Sequence, residues 1–208
     1  MRLQEHMNNT VLAESEPLPK EIHPKKTVQA YKLFISKGGK LYPLYVHANK
    51  PVPVGKWVEA EVGPMSPRGK VKSKLGDLAF RPGWHSGDMP VATHIGGKSN
   101  PKQAKPDFRQ DNQVWALVEV PADVDWQAEA NRRATKTKAG KIVPRTAQID
   151  DQVPKGGYYK YKTNPNMTGS WLISGAMKVI KVLSDDEVIK INKSFGVSDL
   201  PRRKDLKK

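Results

Sequence analysis

The chain has 208 residues, a net charge of +15, 37% hydrophobic residues and no cysteine. That length suits one domain with tails. The missing cysteine excludes a disulfide framework, a thiolate nucleophile and any Cys-ligated zinc or iron–sulfur centre. The charge favours a polyanionic partner, nucleic acid first. No apolar run reaches the length of a membrane span and the first residues lack a signal-peptide core, so the expected location is the cytoplasm.

Residues 1–27 are polar, carry Pro17, Pro19 and Pro24, and read as a flexible tail. The domain is expected over 28–196. VQAYKLFIS and LYPLYVHA are strand-like runs on either side of Lys37-Gly38-Gly39-Lys40, which predicts an antiparallel hairpin. Lys56 to Val62 alternates as a further strand, and Gly63 to Gly76 reads as a loop with four cations. Leu78 to Phe80 then leads as a short strand into AFRPGWHSGDMPVATHIGG, the densest cluster of chemistry in the chain. Gly83 and Gly87 bracket Trp84, His85 and Ser86 there as a polar turn. Asp88, ahead of Met89-Pro90, predicts a helix cap and a short helix to Ile95.

Residues 98–113 read as a long exposed loop, and Val114 to Val120 is the strongest strand. Trp126 to Ala134 predicts a short helix. Arg132, Arg133, Lys136, Lys138, Lys141 and Arg145 follow with no acid among them, the best candidates for phosphate contacts. In VPKGGYYKYKT, Tyr159 and Tyr161 share one face and Tyr158, Lys160 and Lys162 the other. This fits either a core strand or bases stacking between lysines. Ser170 to Val182 reads as one strand containing Gly175. Ser184-Asp-Asp-Glu187 is a capping box opening a helix that Gly196 ends, with Val188, Ile189 and Ile191 on its buried side. A basic tail occupies 197–208.

The sum is an α+β domain of about seven mostly antiparallel strands and three short helices. The spacing of His85, Asp88 and His94 matches no familiar metal motif, so no metal is expected. Ser86 lies beside His85 without a nucleophile elbow, which argues against a hydrolase triad. The histidine turn suits a nucleotide better: a hydrogen bond to a ribose from His85 and a flat ring against Trp84.

The order of a strand YKLFI, the stretch GWHSGDMPVATHI, a strand VWALVEVP and a strand SWLISGAMKV before a capped helix resembles the ADP-ribosyltransferase-like domains of phages and other mobile elements. The resemblance spans Ala30 to Phe195. It implies a cleft between two antiparallel sheets that holds NAD, with transfer of ADP-ribose to a host macromolecule. It places Lys32, Trp84, Ser86 and His94 against the dinucleotide and gives His85 and Asp88 the catalytic roles. The family's late glutamate has no counterpart between Asn164 and Ser170. A basic nucleic-acid-binding protein without catalysis is the alternative reading.

Overall fold

Strand β1 (Thr27–Lys37) is the spine of the fold in the computed structural model, which describes residues 22–91 and 112–197. Gly38 and Gly39, at φ 56° and 71°, turn the chain into β2 (Lys40–Tyr42), the predicted hairpin. There follow β3 (Trp57–Glu59), β4 (Val71–Ser73), β5 (Gly76–Leu78) and β6 (Trp84–Gly87). Beyond residue 111 come β7 (Gln113–Pro121), β8 (Val124–Asp125), helix α1 (Gln127–Arg133) and a 3-10 turn (Pro144–Thr146). The chain continues as β9 (Gly157–Tyr161), β10 (Trp171–Ser174), β11 (Ala176–Val182) and helix α2 (Asp185–Ser194).

This is an α+β fold of mostly antiparallel strands in two sheets, one of nine strands and one the small β4–β5 hairpin. The large sheet runs β3-β11-β7-β1-β6-β10-β9-β8, with β2 added beside β1; β8 and β9 alone pair as parallel strands within it. β10 and β11 are separated by Gly175 alone, yet they lie four places apart on that path. Four inter-strand steps in a flat sheet span about 19 Å, whereas one linking residue reaches roughly 7 Å. The sheet is therefore rolled, and β11-β7-β1-β6-β10 closes on itself. Glycine is required at the corner, because a Cβ on residue 175 would lie 2.0 Å from the Pro154 carbonyl oxygen.

The inside of the roll holds Ala30, Phe34, Ala116, Val118, Leu172, Met177 and Val179, contributed by alternate residues of the closing strands. On the outer face, Leu33 and Trp115 pack under Leu183 and Val188 of the α2 region. A third cluster, with Ala130, Ile149, Tyr159 and Ile173, lies under α1. The capping box of α2 is complete: Ser184 Oγ accepts from Glu187 N at 3.2 Å and Glu187 Oε2 from Ser184 N at 2.8 Å. Val188 is buried as expected, whereas Ile189 is exposed.

Several sequence expectations change. The single strand over Ser170 to Val182 is two strands around Gly175, and the 63–76 loop contains β4 and the start of β5. Trp84-His85-Ser86 is not a turn but a strand, zipped to β10 from Ser174↔Trp84 to Trp171↔Gly87. Asp88 does not cap a helix: residues 88–91 are not helical, and 92–95 lie outside the described residues. The expected tail joins the fold at its end, where the amides of Lys25 and Lys26 donate to the Asp123 carboxylate at 3.0 and 2.7 Å.

Candidate functional site

The β1–β6 seam of the roll is incomplete. β6 meets β1 in a single register pair, Tyr31↔Gly87. Continuing that register would set Lys32 opposite Ser86, Leu33 opposite His85 and Phe34 opposite Trp84, but those pairs are not made. The strands part there, and a cavity of about 570 Å³ opens along the gap, with Lys32, Trp84, His85, Trp115, Tyr161 and Trp171 in its wall. Loop 43–52 and the β4–β5 hairpin close its other side.

Lys32 occupies an inward position of β1 between Ala30 and Phe34 and is 9% exposed. Its Nζ donates to the His85 carbonyl oxygen across the gap at 2.6 Å and lies 5.3 Å from the Trp84 ring and 5.7 Å from the Phe34 ring. It forms no ion pair among the described residues. Burial lowers its pKa from 10.5 to about 8. An ammonium with one carbonyl partner keeps donors to spare in the wall of a largely apolar cavity, where an anion would be strongly attracted.

His85 is held neutral. Burial first, then the nearby Lys32 charge, push its pKa from 6.5 to about 4, against the opposing hydrogen bond to Arg81. Its Nε2 lies 2.9 Å from the Arg81 carbonyl oxygen. A carbonyl only accepts, so the proton sits on Nε2 and Nδ1 is the free acceptor. The ring stands 6.2 Å from that of Trp171, tilted by 48°. Trp84 Nε1 donates to the Val58 carbonyl at 2.9 Å, which fixes the indole at the mouth of the gap.

The other expected site residues differ in placement. Ser86 is in the cavity wall but only 1% exposed, and its Oγ donates to the Leu172 carbonyl at 3.2 Å, which ties β6 to β10. Asp88 is absent from the cavity wall; its Oδ1 accepts from Ser170 N at 2.8 Å and clamps the turn before β10. His94 lies outside the described residues.

Three wall residues were not singled out from the sequence. The Trp115 indole N–H is buried without a partner. Arg81 stacks its guanidinium 5.0 Å from the Tyr161 ring and donates to Gln148 Oε1 at 2.7 Å. Trp171 faces His85. Nothing local in the apolar run of β7 marks Trp115, which lies on the opposite phase from Ala116, Val118 and Val120. Two carboxylates line the rim, both already paired: Glu59 with Lys155 at 2.6 Å and Glu61 with Lys50, which holds the Glu61 carboxyl below its ordinary range.

The basic segment from Arg132 to Arg145 divides in two. The expectation of no counter-charge fails for its first two members. Arg132 and Arg133 both bind Glu129, at 2.6 Å each, and Arg133 also binds Asp150 and Asp151 at 3.0 and 2.6 Å. Hydrogen bonds from the two arginines hold the Glu129 carboxyl down at about 2. Lys136, Lys138, Lys141 and Arg145 remain exposed and outside any ion pair among the described residues.

Among the described residues no group of three His, Asp or Glu could hold a metal ion, and no helix is long and apolar enough to cross a membrane. No family model, curated protein or solved structure matches the chain.

Proposed function

We propose that the cleft is a nucleotide site of the ADP-ribosyltransferase-like kind, taking NAD or its ADP-ribose part. The carrying observation is the Lys32 ammonium, nine-tenths buried at the parted seam with one carbonyl partner. Leaving a charge so poorly compensated costs folding energy, and an anionic ligand group recovers it. The volume lies within the range of small-molecule sites. Trp84 and Trp171 offer faces for a flat ring, and His85 Nδ1 offers an acceptor for its sugar or edge.

These residues fit the ligand better than they fit the reaction. Cleaving the bond between ribose and nicotinamide builds positive charge on the ribose, which a free carboxylate would stabilise. Glu59 and Glu61 are engaged with lysines, Asp88 holds the Ser170 amide, and neutral His85 adds no negative charge. The reading is therefore of ligand binding, with no transfer step assigned.

The test is quenching of the tryptophan emission on titration with NAD, ADP-ribose and nicotinamide, since Trp84, Trp115 and Trp171 all line the cavity. Saturable quenching by the two phosphate-bearing ligands, weakened at least tenfold in Lys32→Met, is expected. Absence of saturation by either ligand at millimolar concentration refutes the proposal.

A further inference from the structure

One cationic hairpin lines the cleft and a second is tied to its wall. The first is β4–β5 with its approach: Arg68, Lys70, Lys72 and Lys74 are all exposed, against one carboxylate, Asp77, opposite Lys72 in register. Val71, Leu75 and Leu78 of the same hairpin line the cavity. The second is a tight turn closed by the Lys136↔Ile142 bridge, with Thr137 N to Lys141 O at 2.8 Å and Gly140 N to Thr137 O at 2.9 Å. It presents Lys136, Lys138 and Lys141 to solvent on an ordered backbone, with Gly140 at φ 74°. Its base is tied to the cavity wall, because the Tyr161 hydroxyl donates to the Arg145 carbonyl at 3.1 Å.

We infer that these two hairpins form the docking surface for a single-stranded nucleic acid, whose phosphates lie on the lysines while the strand passes the aromatic cavity. Three observations select this partner. The free cations are spread along two turns instead of being paired with local acids as Arg132 and Arg133 are, so they can neutralise successive phosphates. The cavity that the first hairpin lines carries the half-buried rings of Trp84 and Trp171, which suits unstacked bases. A duplex reader would need an element for the major groove. Here α1 has its arginines tied to acids, and α2 opens on Asp185, Asp186 and Glu187. The inference stands apart from the NAD reading, since it depends on the hairpins and not on Lys32.

Fluorescence anisotropy of labelled oligo(dT), oligo(U) and a mixed-sequence DNA duplex, each against a salt series, tests it. Tight binding of either single strand at low salt is expected, with log K falling linearly in log salt. The two single-stranded arms decide between DNA and RNA. Replacing Lys136, Lys138 and Lys141 together by Gln should lower the slope by about 2, at about 0.7 per lost phosphate contact. The same variant should keep wild-type quenching by ADP-ribose, which separates this result from the nucleotide proposal. An unchanged slope in this variant and in Lys70→Gln/Lys72→Gln/Lys74→Gln overturns the inference. Duplex binding as tight as that of the single strands overturns it as well.

Discussion

Replacing Lys32 by Met removes the charge at the seam while keeping an unbranched chain against Phe34 and Trp84. The amine's pKa falls from 10.5 to about 8 on folding through burial. That shift corresponds to about 3 kcal/mol by which the fold disfavours the charged form. The sign follows from proton counting. Below pH 8 both states keep the proton and the penalty is felt in full; between 8 and 10.5 only the unfolded chain keeps it, so stability rises with pH. From pH 7.5 to 9.5 the Lys32 contribution should grow by about 2 kcal/mol. The window stops below 10 because burial raises the hydroxyl pKa of Tyr31, Tyr45 and Tyr159, which act with the opposite sign above that value. The variant forfeits the hydrogen bond to the His85 carbonyl, a loss of about 1–3 kcal/mol that offsets much of the relief at neutral pH. Urea unfolding of both proteins at pH 7.5, 8.5 and 9.5 measures this. The wild type should gain on the variant by about 2 kcal/mol across the series. A gap that stays constant with pH refutes the account of a desolvated ammonium. If the cleft takes ADP-ribose as proposed, the ligand pairs with the protonated amine, and wild-type affinity should fall roughly tenfold or more over the same range.

Other substitutions probe the frame around the seam. Gly175→Ala puts a Cβ 2.0 Å from one backbone carbonyl oxygen and 2.6 Å from another, and should cost about 3 kcal/mol or prevent folding, read as a lowered urea midpoint or loss of soluble protein. Ser184→Ala breaks the capping box of α2 and should cost about 1 kcal/mol in the same assay. The His85 ring proton resonances should not shift between pH 8 and 5.5, since its pKa lies near 4. Because that value is below the unfolded 6.5, His85 should also make the protein lose stability as pH falls from 6.5 toward 4, a loss that His85→Gln removes.

Much of the fold was legible wherever a local rule decided it. The apolar run of Val114 to Val120 became β7, the Gly38–Gly39 pair became a hairpin turn at positive φ, and Ser184 with Glu187 became a capping box. Local rules failed where a distant residue supplied the partner. Asp88 has the residue type and spacing of a helix cap, but its carboxylate is taken by the amide of Ser170. Trp84 to Gly87 reads as a turn until β10 zips along it. Nothing in the run from Ser170 to Val182 announces a corner at Gly175, because the approach of the Pro154 carbonyl that demands it is purely tertiary. The counter-charges of Arg132 and Arg133 came from outside the segment in which the cations were counted, three and four residues upstream in Glu129 and downstream in Asp150 and Asp151.

Two of these misread stretches, residues 84–87 and 88–91, adjoin the open seam, and rolling the sheet accounts for it. The one-residue corner carries the chain from β11's side of the roll to β10, which pairs with β6 at four positions, while β6 keeps a single pair with β1. The parted strands cannot satisfy one another, so side chains and distant amides take over: Lys32 reaches the His85 carbonyl, Trp84 the Val58 carbonyl, and Asp88 the Ser170 amide. Lys32 entered the sequence reading only through the family resemblance; the structure sets its charge at an inward position of β1 between Ala30 and Phe34. A local pattern at odds with its global position is where a functional site is expected. The cavity opens at that position.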